Sequence, residues 1–215
     1  MSLTLYHYVH CPFCIRVRLV LGFLHLNYES VVVAYDDEET PKRLTGKKML
    51  PILAHDTGVM NESLEIISFL DTNNKLKYQQ LIGTKDFIKV TDILNSIGEP
   101  IYSLAMPYWM WTPEFSDSSR IYFRNIKEKK RGPFSNLVKN QSIFLNQLDP
   151  LLKDIEKSLS PFYNSHEFSL YDILIVSHLW GLYVVPEFHF SKKIHHYLQS
   201  VKQICHFNYH KDFWS

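Results

Sequence analysis

The chain of 215 residues is long enough for one large domain or two small ones, and its 46% hydrophobic content is ample for a packed core. Its 23 Lys and Arg residues nearly balance its 22 Asp and Glu residues, which argues against nucleic acid or another polyanion as a partner. No apolar run approaches the roughly 20 residues that span a bilayer, and no secretory leader precedes the first predicted strand. We therefore expect a soluble, cytoplasmic protein without stable membrane association.

The first predicted elements surround two cysteines. An alternating run over residues 3–8 predicts a strand, and the apolar spacing that follows Cys11 predicts a helix that contains Cys14. Cys11 then lies just before the first helical turn, close to unpaired backbone amides and to the positive charges of Arg16 and Arg18. These groups are expected to lower the pKa of Cys11, so that its thiol is ionised near neutral pH.

Two cysteines separated by two residues are also found in metal sites and in structural disulfides. A zinc or iron-sulfur site needs further soft ligands, and the remaining cysteine, Cys205, is far downstream. A metal patch of Cys205, His206 and His210 has no recognised ligand spacing, so we expect no metal and expect Cys205 to pack in the core. A structural disulfide is not expected in a cysteine-poor chain without a leader, and redox catalysis is the favoured interpretation.

The next segments predict a parallel strand–helix–strand unit. Residues 30–35 are mostly β-branched or aromatic and predict a strand, and residues 40–46 predict a short surface helix after an acidic run. A strand that opens on Pro51 follows, and the Leu50-Pro51 bond is a credible cis site, with a trans proline as the alternative. A cis bond would direct the Leu50 backbone outward, where an extended peptide would pair with it.

A hairpin and a helix complete the first half. Residues 56–58 predict a turn and residues 59–60 a short antiparallel strand. A helix is predicted to begin near Glu62 and Ser63, capped by a hydroxyl or a carboxylate side chain. Ser63 with its backbone amide is a candidate receiver for a ligand carboxylate, and ordinary capping is the alternative role.

The second half is predicted to be entirely helical. We place the first domain at residues 1–72, a polar linker at 73–83 and the helical domain at 84–215. Pro100 and Pro150 fall within helical patterns, so each is expected to kink a helix or to mark a boundary. A capping box is predicted at residues 169–172, before an apolar run at 173–185. An aromatic cluster of Tyr108, Trp109 and Trp111 is expected to pack in the core, with a cleft wall as the alternative. The basic run at 127–131 is interpreted as a solvated helix end.

The Cys-Pro-Phe-Cys motif, the Leu50-Pro51-Ile52-Leu53 segment and the Glu62-Ser63 pair give the first half a resemblance to the thioredoxin-like domain of glutaredoxins and glutathione transferases. The helical half resembles the C-terminal domain of the transferases. A dithiol thioredoxin-like domain joined to that helical half resembles the glutaredoxin 2 family nearly end to end. The resemblance implies an α/β thioredoxin-like N-terminal domain and an all-α, glutathione transferase-like C-terminal domain.

The resemblance also implies a function and a site. Cys11 would be the nucleophile and Cys14 the resolving thiol of a glutathione-dependent oxidoreductase that acts on disulfide-bonded or glutathionylated proteins. Leu50, beside Pro51, would pair through its backbone with the cysteinyl part of glutathione, while Glu62 and Ser63 would receive its γ-glutamyl end. Lys48, or its neighbour Lys47, is a candidate for the glycyl carboxylate on charge and position alone. Phe13 replaces the tyrosine that many glutaredoxins have in this motif, so a role for that hydroxyl is absent.

Two other functions remain open at this point. A glutathione transferase would conjugate glutathione to electrophiles and would stabilise its thiolate with a hydroxyl, for which Tyr6 or Tyr8 is a candidate. A transferase-like interaction module would need no activity at all. Neither function requires two cysteines held as a reactive pair.

Overall fold

A four-stranded mixed sheet forms the centre of the first half of the chain. The computed structural model describes residues 2–208. The strands are β1 (Leu3–His7), β2 (Glu29–Val32), β3 (Ile52–His55) and β4 (Gly58–Met60). They lie in the order β2-β1-β3-β4, with β1 parallel to β2 and antiparallel to β3, and with β3 antiparallel to β4. The predicted parallel unit and hairpin are confirmed, although β2 ends three residues before the predicted Tyr35.

Three helices accompany the sheet: α1 (Pro12–Phe23), α2 (Glu39–Thr45) and α3 (Ser63–Leu70). Nine of the twelve residues of α1 are buried, eight of them in the unbroken run from Cys14 to Leu21, because helices pack on it from both halves of the chain. Gly22 is required there, because a Cβ atom would lie 1.8 Å from the backbone carbonyl oxygen of Cys205. The helix that carries Cys14 is therefore fixed between the two halves.

The second half is helical, as predicted. Its helices are α4 (Tyr78–Leu81), α5 (Lys85–Trp109), α6 (Asp117–Arg131), α7 (Phe134–Lys139), α8 (Gln141–Lys157), α9 (Leu170–Leu179), a 3-10 helix (Trp180–Val184) and α10 (Lys192–Ile204). The segment predicted as a linker contains α4 and the buried Leu76, and the domain bounds stay a prediction. Among residues 2–208, no helix combines the length and hydrophobicity needed to cross a membrane.

The predicted capping box at the start of α9 is confirmed and lies within a buried network. The Ser169 hydroxyl and the Asp172 carboxylate cap the helix reciprocally. Asp172 also accepts hydrogen bonds from the Tyr163 backbone at 2.9 Å and from the Tyr197 hydroxyl at 2.8 Å. Every residue of α9 is buried, as expected for a central helix.

Several boundaries differ from the prediction. Pro100 lies inside α5 and Pro150 inside α8, so neither marks a helix boundary. Apolar residues on both sides of each proline are buried, and this packing outweighs the one backbone hydrogen bond that the proline removes. The apolar run at 173–185 leaves the α-helical path at Trp180, where the 3-10 helix begins. At α3 the side-chain cap is missing, because Glu62 is the N-cap residue and makes no side-chain capping bond.

Candidate active site at the amino end of the first helix

Cys11 is the N-cap residue of α1, and its local sequence explains that position. Its backbone is extended, with φ −69° and ψ 123°, and Pro12 occupies the first helical position, where no N–H is needed. Its carbonyl oxygen accepts the first helical hydrogen bond from the Ile15 N–H at 2.9 Å. Cys11 is half-buried and Cys14 is fully buried, and both are free thiols.

The pKa of Cys11 is lowered, as the sequence predicted, but the main cause is one that the sequence analysis did not name. The Cys14 thiol donates a hydrogen bond to the Cys11 sulfur and makes the largest contribution. Burial opposes it, while the backbone N–H groups of Cys14 and Phe13 and the charge of Arg16 assist. The thiolate of Cys11 is thus stabilised by its own partner and by the first turn of α1.

Cys14 has the opposite electrostatic character. Burial raises its pKa well above the ordinary value, and the neighbouring Cys11 raises it further. The backbone N–H of Tyr8 donates to its sulfur at 3.4 Å. Cys14 is therefore a neutral thiol that donates a proton toward Cys11, and the two sulfurs have different protonation states near neutral pH.

The two arginines of α1 play different parts. Arg16 is buried and contributes positive charge at Cys11, while its guanidinium lies 4.7 Å from the centre of the Phe13 ring. The charge of Arg18 acts on the neighbouring Cys14, where it lowers the pKa of the thiol and partly opposes the effect of burial. Its guanidinium packs 4.9 Å from the ring of Phe207, on the side where α1 meets the end of the chain that the structure describes.

Cys11 opens onto a cleft of about 340 Å³ between the two halves of the chain. Its walls are mainly aromatic and cationic. The aromatic residues are Tyr8, Phe13, Tyr35, Tyr102, Trp109 and Phe123, and the cationic residues are Lys48, Lys127, Lys130 and Arg131. The predicted aromatic cluster does not form one wall of the cleft. Trp109 is buried in this wall, whereas Trp111 is 67% exposed.

The structure places the Leu50-Pro51 segment beside Cys11. The bond between these residues is cis, as the sequence suggested, and Leu50 lines the cleft. Among residues 2–208, no hydrogen bond joins the Leu50 backbone N–H or carbonyl to another residue. The segment thus presents an unpaired backbone edge next to the cysteine, which is the arrangement that an extended peptide requires.

Lys48 also lines the cleft but is already engaged. Its amine donates to the Tyr35 carbonyl oxygen at 2.9 Å, lies 3.9 Å from Glu38 and 4.0 Å from the centre of the Tyr122 ring. Lys47 is exposed and does not line the cleft.

Glu62 and Ser63 do not line this cleft. Glu62 is exposed at the start of α3, and Ser63 is buried. Arg16 links the two regions, because its guanidinium donates to the Ser63 hydroxyl at 3.5 Å and also acts on Cys11. The γ-glutamyl contacts of Glu62 and Ser63 stay a prediction.

The sequence analysis missed a buried hydrogen-bonded pair beside the nucleophile. The Nδ1 atom of His10 donates to Glu114 at 2.7 Å, and both side chains are almost fully buried. The His10 ring also stacks on Trp109, with ring centres 4.7 Å apart. Glu114 precedes α6, so this pair joins the residue before Cys11 to the helical half. No local pattern marks it, since 104 positions separate the partners.

Of the two tyrosines considered for a transferase, Tyr8 is a lining residue of the cleft and Tyr6 is not. Tyr8 lines the cleft, but burial raises its pKa far above the ordinary value, and the neighbouring Tyr35 and the two cysteines raise it further. The Tyr8 hydroxyl therefore stays protonated at neutral pH.

Residues 2–208 contain no group of three His, Cys, Asp or Glu side chains able to hold a metal ion. Cys205 is buried at the end of α10, and burial raises its pKa, as expected for a core cysteine. His210, the third member of the considered patch, lies outside the described residues.

Comparisons with known proteins agree with this two-part arrangement. A family model described as "Glutathione S-transferase, N-terminal domain" matches residues 5–77, and one described as "Glutaredoxin 2, C terminal domain" matches residues 89–212. Glutaredoxin 2 of Escherichia coli K12 is 28% identical over 211 residues, which cover 96% of this chain and 97% of that protein. Prostaglandin E synthase 2 of Danio rerio is 30% identical over 131 residues, which cover 57% of this chain and 32% of that protein.

Solved structures show the same likeness. The structure of glutaredoxin 2 from Salmonella typhimurium in complex with glutathione aligns with a TM-score of 0.84 and 28% identity, covering 96% of each chain. Glutathione transferase GSTFuA3 from Phanerochaete chrysosporium aligns with a TM-score of 0.77 over 97% of this chain and 98% of that one, and its 19% identity shows a common fold alone. These likenesses confirm the predicted thioredoxin-like and transferase-like architecture. Because the glutaredoxin model spans more than half of the chain, the protein belongs to the glutaredoxin 2 family.

Proposed function

We propose that this protein is a glutathione-dependent thiol–disulfide oxidoreductase of the cytoplasm. The observation that carries the proposal is the reduced pair of Cys11 and Cys14 at the start of α1, where the lowered pKa of Cys11 coincides with access to the cleft. A thiolate at an accessible helix end is the nucleophile that disulfide exchange requires. The substrates would be protein disulfides and glutathione mixed disulfides.

With a mixed disulfide, the Cys11 thiolate attacks the sulfur of the glutathionyl group. A bond forms between that sulfur and Cys11, the original S–S bond breaks, and the substrate leaves as a thiolate that takes a proton from solvent. The thiolate of a second glutathione then attacks the same glutathionyl sulfur. Glutathione disulfide leaves and the Cys11 thiolate is restored, so one free glutathione is consumed for each substrate thiol released.

With a protein disulfide, Cys14 completes the reaction. Cys11 forms a mixed disulfide with one substrate sulfur and releases the other as a thiolate. Cys14 loses its proton to that thiolate and attacks the Cys11 sulfur, which forms the Cys11–Cys14 disulfide and frees the second substrate thiol. The high pKa of Cys14 keeps it protonated until this step.

The first half of the chain would bind glutathione. Leu50, beside the cis Pro51, offers an unpaired backbone N–H and carbonyl for the cysteinyl residue. Glu62 and Ser63 would receive the γ-glutamyl end at the start of α3. Lys48 is the candidate for the glycyl carboxylate, because its amine lies in the same cleft as Leu50.

Turnover of a glutathione mixed disulfide, coupled to glutathione reductase, tests the proposal. Wild-type protein should turn the substrate over, Cys11→Ser should be inactive, and Cys14→Ser should keep this activity while losing the reduction of protein disulfides. Activity that survives in Cys11→Ser would overturn the assignment. Conjugation of an aryl halide by wild-type protein at a rate above its disulfide turnover would favour the transferase instead.

A further inference from the structure

The helix α6 presents one face to the cleft beside Cys11. Phe123, Lys127, Lys130 and Arg131 all line the cleft, and their spacing of four, seven and eight residues places them on one side of a helix. The basic run at 127–131 is thus only partly the solvated helix end that the sequence predicted. Two of its charges, on Lys127 and Arg131, are at least half-buried in the cleft wall.

The charge in the cleft is one-sided. Four of its lining residues are cations and none is Asp or Glu. Two of the cations already have carboxylate partners, since Lys48 lies 3.9 Å from Glu38 and Arg131 bonds Glu99. Within the described part of the chain, Lys127 and Lys130 have no salt bridge. Two positive charges in the cleft therefore have no carboxylate partner among residues 2–208.

Lys127 is the more confined of the two. Its amine lies 5.7 Å from the ring centres of Tyr35 and Phe123, and the side chain is half-buried, whereas Lys130 is exposed. Burial lowers the pKa of Lys127, and the charge of Cys11 raises it, so the amine lies close enough to the sulfur for the two to interact. That negative charge disappears when the sulfur of Cys11 forms a mixed disulfide. A half-buried amine without a counter-charge is costly, and a bound anion would then offset that cost.

The position of Lys127 indicates which anion this is. If glutathione is bound by residues of the first half, as the proposed function holds, the helical half faces the other partner of the mixed disulfide. We propose that Lys127, assisted by Lys130, makes the enzyme prefer glutathione mixed disulfides whose second thiol carries a carboxylate close to its sulfur. Lys127 is then a specificity-determining residue of the helical half.

Three small mixed disulfides of glutathione test this inference: those with 3-mercaptopropionate, 2-mercaptoethanol and cysteamine, whose second halves are negative, neutral and positive. Because the three thiols differ as leaving groups, the readout is the change in the ratios of kcat/KM between wild type and variant. Lys127→Gln should lower the negative-to-neutral ratio by about three- to tenfold, the range expected for one partly screened ion pair. Lys127→Glu should lower it further and raise the positive-to-neutral ratio.

Matched controls separate charge from structure. Lys127→Arg keeps the charge and should keep the wild-type ratios. Lys129→Gln removes a charge two residues away, on an exposed side chain that does not line the cleft, and should also keep them. In wild-type protein, added salt should lower the negative-to-neutral ratio, a measurement that needs no variant.

The outcomes are distinguishable. An equal loss with all three disulfides in Lys127→Gln would mean that this residue acts on the glutathione they share or on the Cys11 thiolate, and it would overturn the inference while leaving the proposed function intact. Unchanged ratios in both Lys127→Gln and Lys127→Glu would overturn it as well. If wild-type protein turned over none of the three mixed disulfides, the proposed function would be refuted. The inference rests on that function and would be refuted too.

Discussion

Replacing Cys14 by alanine should raise the pKa of Cys11. The pKa of Cys11 is about 7 against an ordinary 9.0, and the hydrogen bond from the Cys14 thiol is the largest cause. Two pKa units correspond to about 2.7 kcal/mol of preference for the thiolate. A hydrogen bond to a charged acceptor contributes roughly 1.5 to 3 kcal/mol, so its loss should move the pKa to about 8 or above. At pH 7 the ionised fraction would then fall from about one half to about one tenth.

The rate of iodoacetamide alkylation as a function of pH measures this shift, with peptide mass mapping to separate Cys11 from the buried Cys205. The midpoint of the profile is the relevant quantity, because the reactivity of a thiolate itself rises with its pKa. Cys14→Ser retains an O–H donor and should keep most of the lowering. A midpoint in Cys14→Ala that equals the wild-type value would refute the reasoning and assign the shift to the backbone amides and Arg16.

Three further predictions concern the stability of the fold that holds the site, and the free energy of unfolding in urea tests each of them. Gly22→Ala should lower the free energy of unfolding by about 3 kcal/mol, because its Cβ would meet the Cys205 carbonyl oxygen. Asp172→Ala should cost about 3 to 5 kcal/mol, because it leaves buried donors unpaired. Burial lowers the pKa of both His7 and His178 to about 3, so only the unfolded chain binds their protons just below pH 6.5. The free energy of unfolding should therefore decrease as the pH is lowered through this window, by about 1.4 kcal/mol per histidine at pH 5.5 relative to high pH.

Each of these predictions has its control. Gly98→Ala places its Cβ in ordinary contact with Tyr102 within α5 and should stabilise the protein by about 1 kcal/mol. Ser169→Ala removes one cap and should cost about 1 kcal/mol, less than the loss of Asp172. His178→Gln should reduce the pH dependence itself, whatever its effect at pH 7. An unchanged free energy of unfolding in Gly22→Ala would contradict the steric argument. A loss in Asp172→Ala no larger than that in Ser169→Ala would contradict the account of the buried network. An unchanged pH dependence in His178→Gln would contradict the account of the buried histidines.

The elements around the dithiol were predictable because local patterns determine them. Alternation over β1, the apolar spacing of α1 and the proline before β3 each act within a few residues. The position of Cys11 at the helix start followed from these patterns, as did the capping box at Ser169. These features need no knowledge of distant contacts.

The opposite wall of the site was not predictable in the same way. Lys127 belongs to a basic run that looks solvated in sequence, and only packing of α6 against the first half places it beside Cys11. The pairing of His10 with Glu114 likewise depends on how the two halves meet. The sequence left open whether Pro100 interrupts a helix or lies within one, because the burial of residues on either side of it decides the outcome.

Trapping the reaction intermediate tests the central claim most directly. The Cys14→Ser variant, treated with glutathione disulfide and mapped by peptide mass spectrometry, should carry one glutathione on Cys11, and reduced glutathione should remove it. A glutathione found on Cys205, or a Cys11 that remains unmodified while free thiols in solution react, would contradict the assignment of Cys11 as the nucleophile.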